Sequence, residues 1–263
     1  MELNKVDLLG EYIRAMIKGE NGTGKSILAS SFPDPHFFFF EKRWKSLISY
    51  WMKVNPSIIN KISFDDLTGM SKYKVIETIK YRVDRPDKKT LVLDSITSAG
   101  DEILSTIKSG KAEGKVISGI RVNDGEDFSA EDAFFKELKE LMFSFSGNVI
   151  WIAHVLIIEQ QNMMKGTTTI SRPIVSGAKK IAAKLPGYFD EVWHTQVENG
   201  RYKLLTTHRG TDMAKTSLPL DSELDFTDGN GYDLIHTNLE RNYNALIKRQ
   251  QDKEALLARQ VKI

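Results

Sequence analysis

The sequence predicts an α/β protein of three layers, with a mostly parallel β-sheet between two layers of helices. Short apolar runs alternate with helical patterns along most of the chain, which is the order that a parallel sheet requires. Several of these runs are apolar at consecutive positions, as in strands that are buried on both faces. The chain has 263 residues, of which 41% are hydrophobic and 18 are glycine, so one large core can be buried.

Strands are predicted where apolar runs lie between turn residues. The runs that meet this description are Tyr12–Lys18, His36–Phe40, Ile58–Phe64, Thr90–Leu93, Asn148–Ala153, Glu191–Thr195 and Tyr202–Thr206. Helical patterns separate most of these strands and cover Ser26–Ser31, Trp44–Lys53, Lys72–Arg82, Ala130–Phe145 and Lys179–Leu185. Little helix lies between the last two or three strands, so we expect them to form an antiparallel extension of the sheet.

Two stretches of the sequence are predicted to be long irregular loops. Residues 108–128 are glycine-rich and highly charged, and residues 155–173 begin apolar and become polar. Loops of this length inside a compact domain are usually functional or disordered. Both stretches lie next to strands that carry candidate site residues.

The C-terminal part of the chain is predicted to be a helical tail. A helical pattern begins at Tyr232, so we place an α/β core over residues 1–232 and a tail over residues 233–263. Residues 241–263 contain six Lys or Arg residues and two acidic residues. This basic character fits either contact with phosphate groups or a helix face exposed to water.

Composition excludes several function classes. The absence of cysteine rules out disulfides, cysteine-ligated zinc and thiol catalysis. The 37 basic and 35 acidic residues leave a net charge of +2, which by itself indicates neither nucleic acid nor a membrane as partner. The N-terminus lacks the pattern of a secretion signal, and the apolar stretch 149–158 is too short to span a bilayer. We therefore expect a cytoplasmic protein without a membrane partner.

A phosphate-binding loop is the strongest motif in the sequence. It follows an apolar strand, opens a helix and matches G-x-x-x-x-G-K-S over Gly19, Glu20, Asn21, Gly22, Thr23, Gly24, Lys25 and Ser26. The glycines allow backbone N–H groups to turn towards an anion, and Lys25 supplies a positive charge to the β- and γ-phosphates. The Ser26 hydroxyl is a candidate Mg²⁺ ligand. The loop predicts a nucleotide site.

Three further polar residues are predicted at strand ends near this loop. Asp94 ends an apolar strand and is expected to lie near Mg²⁺. Glu41 follows the strand His36–Phe40 and is the candidate that orients or deprotonates water, with a surface glutamate as the alternative. His154 follows the strand Asn148–Ala153, at the edge where open α/β sheets bind ligands. It is a candidate γ-phosphate sensor, with a buried structural histidine as the alternative.

In their order and spacing these motifs resemble the RecA-core ATPases over about residues 10–220. More narrowly, the segments TLVLDSIT, LPGYFDEVWH and GRYKLLTT are similar to the small RecA-like ATPases of bacteriophages that are associated with single-strand annealing and recombination. The resemblance implies ATP and Mg²⁺ as cofactors, Ser26 and Asp94 as metal ligands, and Glu41 as the residue that activates water. His154 stands where recombinases usually have a polar sensor, commonly Gln.

The resemblance also implies partners. Residues 108–128 and 155–173 correspond to the loops that line single-stranded DNA in recombinase filaments. Arg209, or Lys215 as a second choice, would reach the phosphates of a neighbouring subunit, which implies self-association into a filament or a ring. A single-strand-binding or recombination protein is a further possible partner.

These expectations define a leading function and two alternatives. The leading function is a DNA-stimulated ATPase that acts on single-stranded DNA in annealing, recombination or replication. The first alternative is a hexameric helicase-like ATPase core, which uses the same motifs. The second is a nucleotide-gated adaptor for a replication or recombination partner, without significant turnover.

Overall fold

The computed structural model describes residues 12–85, 87–110, 116–117, 120–121, 125–162, 166–173, 179–208 and 214–260. The strands are β1 (Arg14–Gly19), β2 (Pro35–Phe39), β3 (Ser63–Asp66), β4 (Thr90–Asp94), β5 (Val116–Ile117), β6 (Ile120–Arg121), β7 (Asn148–Asn162), β8 (Gly166–Pro173), β9 (Glu191–Glu198), β10 (Arg201–Leu205) and β11 (Glu223–Asp225). The helices are α1 (Lys25–Ser30), α2 (Trp44–Val54), α3 (Lys72–Asp84), α4 (Ile96–Gly110), α5 (Gly125–Phe143), α6 (Lys179–Lys184) and α7 (Gly231–Gln260).

One large sheet forms the centre of the fold, with the strand order β11-β10-β9-β1-β7-β4-β2-β3. The six strands from β9 to β3 along this order are parallel to their neighbours, whereas β10 and β11 are antiparallel. The predicted mostly parallel sheet is therefore confirmed, and so is the antiparallel extension at its end. The short strands β5 and β6 form a separate antiparallel pair.

Helices cover both faces of the sheet, as predicted. Alternate residues of β1 point to opposite faces: Met16 packs with residues of α3, α4 and α5, and Ile17 packs with residues of α1, α2 and α7. A hydrogen bond of 2.8 Å from Trp51 Nε1 to Ser30 Oγ joins α2 to α1. The fold is thus the predicted three-layer α/β architecture.

The predicted strand Ile58–Phe64 is wrong in its first half. Residues Pro56–Lys61 form a 3₁₀-helix, and β3 begins only at Ser63. The side chain of Asn55 caps this helix by accepting hydrogen bonds from Ser57, and Pro56 suits the first helical turn. This local capping decides the conformation although Ile58 and Ile59 are good strand formers.

The stretch 108–128 is less irregular than predicted. The helix α4 is absent from the prediction because Thr97, Ser98 and Gly100 are weak helix formers, but Ile96, Ala99 and Ile103 bury one face of it. α4 extends to Gly110 and α5 begins at Gly125, five residues before the predicted start. Parts of the stretch between them, residues 111–115, 118–119 and 122–124, lie outside the described residues.

Within the stretch 155–173, the described residues 155–162 and 166–173 form two paired antiparallel strands, here called the hairpin, rather than the predicted irregular loop. β7 does not end at Ala153 but continues to Asn162, and its outer part pairs with β8 from Val155↔Pro173 to Asn162↔Gly166. His154 therefore lies inside a long strand. The position is nevertheless at the carboxyl edge of the sheet, because His154 pairs with Gly19, the last residue of β1.

The first half of α7 packs against the α/β core. Ile235, Leu239 and Tyr243 are buried, whereas Leu246 is 50% exposed. Asn238 and Asn242 donate hydrogen bonds of 2.9 Å to the carboxylate of Asp221. The proposed division at residue 232 stays a prediction. Within the described ranges, no helix is both long and apolar enough to cross a membrane.

Candidate nucleotide-binding site

The loop between β1 and α1 has the shape of a phosphate cradle. Gly24 directly precedes α1 with a φ of 84°, in the left-handed region that favours glycine. Gly19 approaches β9 so closely that a Cβ atom there would lie 2.5 Å from the carbonyl oxygen of Thr195. Thr23 Oγ1 donates a hydrogen bond of 2.8 Å to Glu20 O and lies 2.8 Å from Thr195 Oγ1. The loop is therefore anchored to the sheet.

Lys25 is buried inside this loop. Its Nζ atom donates hydrogen bonds to the carbonyl oxygens of Gly19 at 3.0 Å and Glu20 at 2.6 Å. The pKa of Lys25 is lowered to about 8, mainly by burial and in smaller part by Arg43, and Asp94 and Glu20 oppose this lowering. Both described hydrogen-bond partners of the ammonium group are uncharged carbonyl oxygens, so an incoming phosphate would supply a negatively charged partner.

Ser26 and Asp94 meet at the carboxyl edge of the sheet. Ser26 Oγ donates a hydrogen bond of 2.6 Å to Asp94 Oδ2. Burial raises the pKa of Asp94 to about 6, and Glu41 adds to the rise, whereas the Ser26 hydrogen bond and Lys25 oppose it. A hydroxyl and a single carboxylate are oxygen donors of the kind that bind Mg²⁺ when waters and phosphate oxygens complete its shell. The described residues contain no cluster of three His, Cys, Asp or Glu side chains that could hold a metal ion by themselves. The donors present therefore fit Mg²⁺ that arrives with a nucleotide.

Glu41 lies just beyond β2, with both carboxylate oxygens engaged. Oε1 accepts a hydrogen bond of 2.8 Å from Ser98 Oγ, and Oε2 is 2.8 Å from Arg43 Nε. Because β2 and β4 are neighbours in the sheet, Glu41 reaches the start of α4, where Ser98 lies. The glutamate thus faces the nucleotide site, and its chemical role stays a prediction.

His154 faces the same site as a neutral imidazole. Its pKa is lowered to about 4, mainly by burial and in smaller part by Lys25 and Arg43, and Glu41 opposes this lowering. Its Nδ1 atom is buried without a hydrogen-bond partner in the described part of the chain, and its backbone N–H donates to Thr97 Oγ1 at 3.3 Å. An uncharged ring with a free nitrogen fits a hydrogen-bonding role, and sensing of the γ-phosphate stays a prediction.

A cavity of about 340 Å³ connects these groups. It is lined by Lys25, Ser26, Glu41, Asp94 and His154, together with residues that the sequence did not single out. The additional residues include Arg43, Tyr50 and Tyr202. Arg43 follows the candidate Glu41 in a visible basic run, so the sequence carried a signal for it. Nothing in the sequence indicated Tyr50 or Tyr202, because only the packing of α2 and β10 against the loop brings these two side chains to the cavity.

The two candidates for contact with a neighbouring subunit are not part of this cavity. Arg209 lies outside the described residues. Lys215 is exposed, and its backbone exchanges two hydrogen bonds with Val192 of β9, at 2.8 and 2.9 Å. Lys215 does not line the cavity. That Arg209 or Lys215 reaches the phosphates of a neighbouring subunit stays a prediction.

The fold and the site together define a P-loop ATPase domain with a RecA-like three-layer α/β fold. The chain belongs to the AAA domain family, whose model matches residues 11–218. Among solved structures, a KaiC-like protein from the hyperthermophilic archaeon Pyrococcus horikoshii OT3 matches with 14% identity and a TM-score of 0.44. The match covers 74% of this chain and 78% of that chain. No curated protein sequence matches the chain.

Proposed function

We propose that this protein is a Mg²⁺-dependent ATPase whose nucleotide-bound state acts on single-stranded DNA. One observation supports hydrolysis most directly. The phosphate-binding Lys25, the Ser26–Asp94 pair and the carboxylate of Glu41 line one cavity at the carboxyl edge of the parallel strands. A cation for the phosphates, oxygen donors for a metal and a carboxylate for water are the groups that phosphoryl transfer to water requires.

Each residue has a defined task in this proposal. Lys25 leaves its two backbone carbonyl partners and binds β- and γ-phosphate oxygens, so that its ammonium group gains negatively charged partners. Ser26 and Asp94 hold the metal site, and bound Mg²⁺ neutralises charge on the phosphate oxygens. Glu41 accepts a hydrogen bond from the attacking water and orients it towards the γ-phosphate.

The ATPase proposal is tested by phosphate release with and without Mg²⁺, for the natural protein and for Glu41→Gln. The substitution keeps the size of the side chain but removes the negative charge, so turnover should fall by about 10²-fold or more while ATP binding persists. Glu77→Gln is the matched control, because Glu77 is exposed on α3. Absence of phosphate release from the natural protein, with ATP binding intact, would favour the nucleotide-gated adaptor.

DNA binding is proposed from the continuity of β7. The inner part of this strand carries His154 to the nucleotide cavity, and the outer part forms the hairpin with β8. A continuous strand that joins the two places supports an arrangement in which the nucleotide state changes the hairpin's contact with DNA. The hairpin corresponds to the stretch 155–173 that the resemblance assigns to DNA.

The DNA proposal is tested by phosphate release with and without a poly-dT oligonucleotide, over a series of protein and salt concentrations. We expect stimulation that weakens as salt rises, because phosphate contacts release counterions. Negative-stain imaging of the same samples distinguishes a filament from a ring, and a ring with unwinding activity would favour the helicase-like alternative. Equal turnover with and without the oligonucleotide at every concentration contradicts the proposal.

We further propose that Arg209 of a neighbouring subunit supplies positive charge to the transferred phosphate. The proposal rests on its position in the sequence, four residues after β10, because β10 pairs with β9 and Thr195 of β9 contacts Thr23 of the phosphate loop. Mixing Arg209→Ala with Glu41→Gln protein should restore part of the activity, since each subunit then contributes the residue that the other lacks. Lys215→Ala in place of Arg209→Ala tests the second choice.

A further inference from the structure

Arg43 lines the nucleotide cavity of its own chain. It follows Glu41 by two residues, its Nε atom lies 2.8 Å from Glu41 Oε2, and its side chain is 64% exposed. The backbone at Arg43 is held by Ser46, whose N–H and hydroxyl both donate to the Arg43 carbonyl oxygen, at 3.1 and 2.8 Å. A fixed backbone with a solvent-exposed guanidinium allows the side chain to change partner without rearrangement of the fold.

The pairing with Arg43 affects the availability of Glu41. Each oxygen of its carboxylate already has one partner: Oε1 accepts a hydrogen bond from Ser98, and Oε2 forms an ion pair with Arg43. The Ser98 contact belongs to a network within the fold, since Ser98 Oγ also lies 3.0 Å from Ser95 Oγ. The Arg43 contact is an exposed ion pair, and such pairs contribute little free energy. Of the two contacts, the one with Arg43 is therefore the easier to break.

The charge of Arg43 reaches the phosphate site. Burial is the main cause of the lowered pKa values of Lys25 and His154, and Arg43 contributes to the lowering of both. Two cations, Lys25 and Arg43, thus line one cavity in which Asp94 and Glu41 are the charged partners. A triphosphate offers Arg43 an anion of higher charge than the glutamate, and the guanidinium fork matches phosphate oxygens with two parallel hydrogen bonds.

We propose that Arg43 is a positioning residue that makes Glu41 available only when a terminal phosphate is present. Without a triphosphate, Arg43 remains paired with Glu41. With one, the guanidinium binds terminal phosphate oxygens instead, and Glu41 Oε2 becomes free to accept a hydrogen bond from water while Ser98 continues to hold Oε1. The proposal rests on the proposed ATPase function and deepens it, because it states how the site distinguishes a triphosphate from a diphosphate.

The experiment compares the dissociation constants of adenylyl imidodiphosphate and ADP, each with Mg²⁺, for the natural protein and for Arg43→Ala. We expect the constant for the triphosphate analogue to rise about tenfold and that for ADP to change less than twofold, because only the former carries the terminal phosphate. Arg43→Lys should give an intermediate value, since it keeps the charge but not the fork. Lys42→Ala is the control, because it removes a neighbouring charge that does not line the cavity.

Kinetic measurements give a second readout. Arg43→Ala should raise the KM for ATP more than Lys42→Ala does, with an unchanged melting temperature because the side chain is exposed. Equal effects on the triphosphate analogue and on ADP, or no effect on either, would overturn the proposal. In that case the proposed ATPase function would still stand, provided that the natural protein binds and hydrolyses ATP and the Lys25→Ala protein does neither. Failure of the natural protein to bind ATP would instead contradict the proposed ATPase function.

Discussion

Ser26 Oγ donates a hydrogen bond of 2.6 Å to Asp94 Oδ2 although the two residues are 68 positions apart in the chain. The contact depends on strand order, because β7 lies between β1 and β4 and all three strands are parallel. The carboxyl ends of β1 and β4 therefore share one edge of the sheet, which β7 crosses at His154, the partner of Gly19. The same edge carries Lys25, Ser26, Glu41, Asp94 and His154, which line one cavity.

Asp94→Asn should stabilise the nucleotide-free protein while it abolishes Mg²⁺-dependent turnover. Burial raises the pKa of Asp94 from 3.8 to about 6, so its contribution to folding is present below pH 3.8 and is lost as the pH rises to about 6. At pH 7 the buried carboxylate thus costs about 1–3 kcal/mol, and asparagine avoids this cost while it still accepts the Ser26 hydrogen bond.

Denaturant unfolding at pH 7 and at pH 5 checks this prediction. The gain in the free energy of unfolding should be larger at pH 7 than at pH 5. Asp84→Asn, at an exposed position, is the control and should leave the free energy of unfolding unchanged at both pH values. A less stable Asp94→Asn protein at pH 7 would contradict the assigned effect of burial.

Nucleotide affinity should fall as the pH rises above 8. The pKa of Lys25 is lowered to about 8 in the nucleotide-free protein, so its side chain loses its proton above this pH and binding of phosphate must first restore it. The dissociation constant for ATP should rise by up to about tenfold per pH unit between pH 8 and 10. Titrations of a fluorescent ATP analogue measure this slope. Lys25→Arg should flatten it, because a guanidinium does not titrate in this range, and an equal slope in both proteins would exclude Lys25 as its source.

Substitution of two loop glycines separates backbone strain from packing. Gly22 and Gly24 have φ values of 77° and 84°, so alanine is strained at either position, at about 1–2 kcal/mol. A Cβ at Gly22 meets nothing within 4 Å, whereas one at Gly24 would lie 2.9 Å from Tyr202 Cδ1 and 3.0 Å from Phe226 Cε2. Gly24→Ala should therefore reduce the free energy of unfolding by about 1–3 kcal/mol more than Gly22→Ala. Equal losses in chemical denaturation would show that the two rings move aside without cost.

Two leucines of α7 distinguish its packed part from its exposed part. Leu239 is 4% exposed and belongs to the half of the helix that contacts the core, whereas Leu246 is 50% exposed. Leu239→Ala should cost about 2–4 kcal/mol and Leu246→Ala less than about 1 kcal/mol. Thermal and denaturant unfolding of both variants measure the difference. Similar costs would mean that the helix beyond Tyr243 is packed in solution.

Prediction from sequence succeeded where the signal is contiguous. The motif from Gly19 to Ser26 specifies its own conformation, since Gly22 and Gly24 adopt φ values that other residues avoid. Asp94 ends one apolar run and Glu41 follows another, and the ends of these two runs are visible in the hydropathy of the sequence. The predicted strand Ile58–Phe64 failed because a local cap at Asn55 and Pro56 favours a 3₁₀-helix over the β propensity of the isoleucines.

The amino-acid sequence by itself determined the phosphate loop and the apolar runs that lead to Asp94 and Glu41, because each depends on neighbours within a few positions. The alternation of apolar runs with helical patterns further indicated a mostly parallel sheet between two layers of helices. Only the tertiary structure decided that Glu41 lies between Ser98 and Arg43, that Tyr202 packs against Gly24, and that β7 continues past His154 into a hairpin. These features depend on which strands are adjacent and on which side chains then meet, and strand order is a property of the whole fold that no local pattern contains.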